Sequence, residues 1–244
     1  MRKISVCMAT YNGERFIRAQ IESVLSQLEE NDEIIICDDN SSDGTVKVIE
    51  GINDSRIRFF RNEKNLGYTA NFEKALSKSN GDYVILCDQD DVWLEKKVDV
   101  VKRKLQEFDF IMSDAKVVDT NLNVIHESRN KYYGVRNGFV RNFIKTRYLG
   151  CCMAFRKDVL DFALPFPKNR NLCLHDAWIS LCAEMYFKTT VIDQPLILYR
   201  RHESNASSGG ETHSGFFKII SIRSYLLMNL LKRGIVRRFV RRTK

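Results

Sequence analysis

The stretch "VILCDQDDVW", residues 84–93, decides the reading. An apolar run, Val84 to Cys87, stops at three carboxylates, Asp88, Asp90 and Asp91, with Trp93 just beyond. A short apolar run bounded by a polar turn describes a strand buried on both faces, as inside a parallel sheet. Acids this close repel one another unless positive charge sits among them.

Working outward, comparable runs recur at "ISVCM" (4–8), "EIIIC" (33–37), "IRFF" (57–60) and "YVILC" (83–87). Helical segments separate them. "RFIRAQIESVLSQL" places Phe16, Ile17, Ile21, Val24, Leu25 and Leu28 on one stripe at 3–4 spacing. "SSDGTVKVIEGI" offers Ser41, Ser42 and Asp43 as caps, and "NFEKALSKS" follows the third strand. A further helix is expected to begin near Trp93, with Asp91 able to cap it. This alternation predicts right-handed βαβ crossovers: an α/β fold with a mostly parallel, Rossmann-like sheet flanked by helices over residues 1–110. Beyond 110 the pattern loosens. "FIMSDAKVVD" and "LGCCMAFRKDVL" suggest strands around a central loop, "HDAWISLCAEMYF" (175–187) a helix, and "TTVID" and "LILYR" two strands.

With 244 residues, three prolines and no Gly/Ser/Pro-rich linker, the chain reads as one unit, 1–213, followed by a distinct tail, 214–244. The opening "MRKISVCMATYNGERF" turns polar too early for a secretory signal, and no run approaches the roughly 18–20 apolar residues that span a bilayer. A cytoplasmic protein is expected. The seven cysteines lack metal-ligand spacing and read as small buried hydrophobes in a reducing compartment, the adjacent Cys151 and Cys152 included. The net charge of +8 is localised: from Ser214 onward there are nine Lys/Arg and no Asp/Glu, against 30 basic and 31 acidic residues before it. Overall basicity therefore does not imply nucleic-acid binding, and none is expected.

Open parallel sheets bind ligands at the carboxyl ends of their strands. Here those ends carry Thr10-Tyr11-Asn12, Asp38-Asp39-Asn40, Asn62 to Gly67, and Asp88-Gln89-Asp90-Asp91. A carboxylate-rich loop in that position suits Mg2+ or Mn2+, with substrate phosphates completing the coordination. No G-x-G-x-x-G or G-x-x-x-x-G-K-[ST] occurs, so phosphate charge must be met by metal and basic side chains. An acid at the second strand end could accept a pyrimidine N3–H, and Tyr11 could stack on the base. "LHDAW" puts Asp176 at a helix start, as a general base or as an N-cap. "LYRRHESN" offers Arg200 and Arg201 for phosphate charge and His202 as a neutral imidazole ligand.

Six segments, "ISVCMATYNGERFIRAQIESVLSQ", "IIICDDNSSDGT", "NEKNLGYTANFEKAL", "VILCDQDDVW", "LHDAW" and "YRRHESN", together resemble the family 2 glycosyltransferases of the GT-A fold, in their bacterial rhamnosyltransferase-like branch. The resemblance spans residues 3 to about 206. It implies a nucleotide-sugar-binding half (1–110) and an acceptor and catalytic half (111–213). It further implies inverting transfer of a sugar, such as rhamnose, from a dTDP- or UDP-sugar to an acceptor hydroxyl in cell-surface polysaccharide synthesis, with Mn2+ or Mg2+. By position, Thr10 and Tyr11 would frame the base and Asp39 bind its N3–H, with Asn12, Gly67 and Asn71 also on the donor side. Asp88 would face the ribose and share the metal with Asp90, which takes the D-x-D role. Asp176 matches the catalytic base, and His202 a histidine that reaches the metal or the diphosphate. Two other classes share acids at strand ends. A Mg2+-binding receiver-like signalling domain is half this length and leaves the motifs after 170 without purpose. A nucleotidyltransferase would carry a glycine-rich basic loop after the first strand, where "ATYNGERF" has one glycine.

The tail, "SGFFKIISIRSYLLMNLLKRGIVRRFVRRTK", mixes Phe216, Phe217, Ile220, Leu227, Leu230 and Leu231 with clustered Arg and Lys. It reads as an amphipathic basic helix on the anionic inner face of a bacterial membrane, near a lipid-linked glycan acceptor. Packing on the domain, or a homodimer contact, are its other uses.

Overall fold

The computed structural model describes residues 2–203 and 216–242, with side chains described to residue 236 in the last helix. Strands β1 (Ile4–Thr10), β2 (Glu33–Asp38), β3 (Ile57–Arg61) and β4 (Tyr83–Cys87) alternate with helices α1 (Ile17–Leu25), α2 (Thr45–Glu50) and α3 (Tyr68–Ser77). Then come β5 (Val92–Trp93), α4 (Lys97–Lys104), β6 (Phe110–Val118), β7 (Val124–His126), α5 (Arg129–Tyr133), α6 (Phe139–Ile144), β8 (Met153–Arg156), α7 (Lys157–Ala163), α8 (His175–Tyr186), β9 (Thr189–Arg200) and α9 (Phe216–Arg242).

All strands join one sheet in the order β3-β2-β1-β4-β8-β6-β9-β5, with β7 alongside β6. The run β3-β2-β1-β4 is parallel throughout. β8 is antiparallel to both β4 and β6, which leaves β6 and β9 running with the first four. The expected mostly parallel α/β sheet is present, and its interior strands explain the unbroken apolar runs. Ile34, Ile35 and Ile36 of β2 and Val84 to Cys87 of β4 are fully buried because helices cover both faces. Each such Ile or Val stabilises the fold by about 1.5–3 kcal/mol.

Register aligns the ends that carry the polar clusters. Thr10 lies beside Asp38, Asp38 beside Arg61, and Met8 beside Cys87, so the loops after β1, β2, β3 and β4 open on one edge. From β1 and α3, the core continues through Phe72, Ala75 and Leu76 to α8, whose Trp178 is fully buried.

Three sequence expectations change in detail. No helix starts at Trp93: Val92 and Trp93 pair antiparallel with Leu198 and Ile197, the Leu94 amide donates to Leu196, and α4 begins only at Lys97. Asp91 is therefore no helix cap. "TTVID" and "LILYR" are one strand, β9, which pairs with β6 across register shifts around Asp114, opposite Pro195. A proline inside a strand is accommodated at such irregularities. The segment between β7 and β8 is not a plain loop but contains α5 and α6.

Helix α9 lies against the body through one face. Leu226 and Leu230 are buried, Tyr186 of α8 donates its hydroxyl to the Leu230 carbonyl (2.9 Å), and Arg233 donates to the carbonyls of Phe162, Leu164 and Pro165. Gly234 is where Tyr186 comes closest: a Cβ there would sit 2.3 Å from its hydroxyl. Among the described residues, no helix is long and apolar enough to cross a membrane.

Candidate active site

The four strand-end loops are tied to one another before any ligand is considered. Gln89 grips the Tyr11 main chain from both sides, accepting from its amide (2.8 Å) and donating to its carbonyl (3.0 Å). Asn12, in the left-handed region at φ 49°, joins the β1 and β2 loops: its amide donates to Ser41 Oγ (2.9 Å) and its side-chain oxygen accepts from the Ser42 amide (2.9 Å). Thr10 donates its hydroxyl to Asp38 (3.0 Å), whose carboxylate also receives the Ser41 amide. Tyr11 is about half exposed.

Asp39 is buried and anchors the next loop. Its Oδ1 accepts from Asn62 Nδ2 (2.7 Å) and the Leu66 amide (2.8 Å), and its Oδ2 accepts from the Gly67 amide (2.8 Å). Two carboxylate oxygens offer about four acceptor positions, so one remains on Oδ2. Gly67 holds φ 82°, a conformation that disfavours any residue with a Cβ, and the space a Cβ would enter is open. Asn71 does not reach into the cleft. It is buried, with its amide nitrogen on the Cys37 carbonyl (2.7 Å) and its oxygen receiving Asn62, so it orders the loop rather than offering a free group.

At the end of β4 the acids meet two cations, Lys97 and Arg200, and the imidazole of His202. Lys97 is fully buried behind them, donating to the Cys151 carbonyl (3.1 Å) and lying 4.5 Å from the Trp93 ring centroid. Arg200, at the end of β9, donates its amide to Asp91 (3.0 Å), its Nε to the Asp90 carbonyl (2.8 Å) and Nη1 to the Thr120 carbonyl (2.6 Å), with its guanidinium over Phe16. This guanidinium braces the acidic loop, on the side where phosphate charge was expected of it. Arg201 is half-buried and reaches Tyr199. His202 packs at a tilt against Phe16, with 4.9 Å between ring centroids, and places Nε2 2.9 Å from Asp90 Oδ2.

Burial and the adjacent Asp90 carboxylate push Asp88 up to about 7. Burial, then Asp90 and Asp88, raise Asp91 well above the carboxylate range. Burial also lowers Lys97. Asp91 Oδ2 is buried without a hydrogen-bond partner, and donor atoms of Asp88, Asp91 and Cys151 lie within 4.8 Å of one another. Hard carboxylate oxygens, one of them orphaned, fit a divalent cation. Asp91 and Cys151 are buried at the inner wall, whereas Asp88 and Asp90 are only half-buried.

Asp176 occupies the first turn of α8, half-buried, with Oδ1 receiving the Ala177 amide (2.6 Å). Its charge acts on Asp88 across the cleft and, after burial, contributes to raising Tyr68. Beside it, His175 is buried and stacked on Phe72 (4.2 Å between centroids), with neither ring nitrogen hydrogen-bonded. Burial lowers its pKa and keeps it neutral. The strand ends and Asp176 thus line one cleft. Sequence reading missed Gln20 and Lys97, and named Gln89 and Cys151 without their contacts in the site. Gln20 was visible as a polar residue inside an apolar stripe. It is buried and donates to the Asp88 carbonyl (2.9 Å).

Comparison with known proteins bears on this geometry. The sequence profile described as glycosyl transferase family 2 matches residues 5–162. The chain is 27% identical to the Escherichia coli UDP-Glc:alpha-D-GlcNAc-diphosphoundecaprenol beta-1,3-glucosyltransferase WfgD, over 95% of this chain and 93% of that one. It is 28% identical to the Shigella flexneri dTDP-rhamnosyl transferase RfbG, over 81% and 72%. Staphylococcus aureus TarS 1–349, solved in complex with UDP-GlcNAc, superposes with a TM-score of 0.72 at 18% identity, over 94% of this chain and 67% of that one, which shows the shared GT-A fold. The Pyrobaculum calidifontis mannosyltransferase PcManGT, solved with GDP-Man and Mn2+, gives a TM-score of 0.60 at 16% identity, over 96% and 64%. The profile match, which covers the four strand-end loops with Asp88, Asp90 and Asp91 and stops short of Asp176, identifies the chain as a member of glycosyl transferase family 2.

Proposed function

We propose that this protein is an inverting, divalent-metal-dependent glycosyltransferase that moves a sugar from a pyrimidine nucleoside diphosphate to a hydroxyl of a lipid-linked glycan, in bacterial cell-surface polysaccharide synthesis. The observation that carries the reading is one sheet edge at which Asp88, next to Asp90, feels the charge of Asp176 from the first turn of α8. Donor names among the relatives support a pyrimidine base, as UDP-Glc or as a dTDP-rhamnosyl group. Rhamnose is one candidate sugar and glucose another. The diphosphoundecaprenol named for the WfgD relative supports a lipid-linked acceptor, which would place the enzyme in the cytoplasm at the membrane's inner face.

Tyr11 stacks on the base and the remaining acceptor position of Asp39 receives its N3–H. Thr10 and Asn12 shape the loop beneath, and Gly67 leaves the donor side open. Asp88 faces the ribose. Asp88 and Asp90, with His202 against Asp90, would hold Mn2+ or Mg2+, which neutralises charge on the departing diphosphate. Arg201 adds positive charge on the same side. Asp176 takes the proton of the acceptor hydroxyl as that oxygen bonds to the anomeric carbon. The carbon–oxygen bond to the diphosphate breaks on the opposite face, so one displacement inverts the centre.

Calorimetric titration with UDP and dTDP, each with and without Mn2+, tests this. Metal-dependent binding that is lost in Asp90→Ala is expected, and turnover should release nucleoside diphosphate. Binding of neither nucleotide under any metal overturns the proposal, and release of pyrophosphate would indicate nucleotidyl transfer instead.

A further inference from the structure

The outer face of α9 forms a surface separate from the cleft. Successive helical residues turn by about 100°, which sets Ile220, Ser224, Met228, Leu231 and Ile235 on one stripe about 80° wide. Ile220, Met228, Leu231 and Ile235 are each 46–56% exposed. The stripe lies roughly opposite Leu226 and Leu230, the residues that hold the helix to the body. Lys218 and Lys232, both exposed, run along one flank. From Ser214 to the C-terminus the sequence carries nine basic residues and no acid. An apolar stripe flanked by exposed lysines, on a segment without acids, is complementary to an anionic bilayer surface. A second copy of the same helix would instead set like charges against each other.

We propose that this stripe docks the protein on an anionic lipid surface, with α9 lying flat and Ile220, Met228, Leu231 and Ile235 entering the headgroup–acyl boundary. The docked helix is coupled to the cleft through α8. Tyr186, in its last turn, bonds the Leu230 carbonyl, and Asp176 lies in its first turn. They are ten residue steps apart along the helix, about 15 Å. Docking therefore holds the cleft within reach of hydroxyls displayed just above a membrane. The inference stands on the helix alone and does not depend on the sugar-transfer reading.

The test is co-sedimentation of the full chain with vesicles of phosphatidylcholine, with and without phosphatidylglycerol, at low and high salt. Partition to the anionic vesicles is expected, weakened by salt. The double variant Leu231→Ser/Ile235→Ser should lower it at least tenfold, and Lys218→Glu/Lys232→Glu by a comparable factor, since each basic residue near such a surface is worth about fivefold. Circular dichroism and nucleotide binding of both variants should match the parent, which separates loss of docking from loss of fold. No partition to anionic vesicles overturns the proposal, as does equal partition by the serine variant. So does a parent dimer in equilibrium sedimentation that the serine variant dissolves, which would assign the stripe to a second copy. Failure of the glycosyltransferase reading would instead appear in the nucleotide titration and leave vesicle partition unchanged.

Discussion

Asp39 accepts three hydrogen bonds from the 62–67 loop, so its substitution should be felt twice. Asp39→Ala leaves the Leu66 amide unpaired and the Gly67 amide with Asn65 Oδ1 alone, and urea unfolding should show a loss of about 1–3 kcal/mol. The same variant should bind neither UDP nor dTDP. Asp176→Asn separates chemistry from binding: nucleotide affinity should match the parent while kcat falls about 10²–10⁴-fold, the usual worth of general base assistance. An equal loss of affinity would mean that Asp176 supports the donor instead. His175 makes a pH prediction. Its folded pKa is lowered by burial, so the unfolded chain takes up a proton that the folded chain refuses. Stability from keeping it neutral is complete above its unfolded pKa, about 6.5, and drains as pH falls below that. His175→Leu keeps the packing on Phe72 and removes both unpaired nitrogens. Thermal unfolding of this variant should lose less stability between neutral and mildly acidic pH than the parent. Parallel curves would place His175 in a protonated or solvated state.

Among the elements, α9 is attached where Gly234 lets Tyr186 through. Gly234→Leu overpacks that contact, which typically costs about 1–3 kcal/mol. Limited proteolysis should then cut within the helix while the sheet-bearing body stays intact; an unchanged digestion pattern would show that the arginine contacts suffice. The same scale shows how far the sequence could be read. The strands β1 to β4 were legible because each apolar run is bounded by polar residues and separated by a helical stripe, a rhythm that local pattern carries. β5 was not, since two residues adopt a strand only because Leu198 and Ile197 lie beside them. β9 read as two strands because the Asp193-Gln194-Pro195 interruption resembles a turn, whereas β6 spans it with a register shift. In the site, residue types at strand ends marked the edge correctly, yet their partners were hidden. Nothing local tells that Arg200 braces the loop, that Asn71 is consumed by Cys37 and Asn62, or that Cys151 stands against Asp88 and Asp91.

For the whole molecule, all seven cysteines are free and buried in the structure. Native protein should therefore react with fewer than one equivalent of an aromatic disulfide reagent over minutes, and with seven in guanidinium. Early reaction of Cys151 or Cys152 would reveal opening of the wall behind the acids. The pairing of β5 with β9 has a further consequence, for the order in which the molecule is made. Asp90 and Asp91 meet Arg200 and His202 across 109 to 112 residues of chain, while the sheet β3-β2-β1-β4 is complete by residue 87. On a ribosome the acidic loop is synthesised long before its brace. Its carboxylates, and whatever cation they attract, wait without Arg200 until β9 is laid between β6 and β5. Closing so long a loop is slow relative to local helix and strand contacts. A nascent or truncated chain ending before residue 189 would hold the parallel half of the sheet yet lack the strand that finishes its working edge, so competence arrives in a single late step.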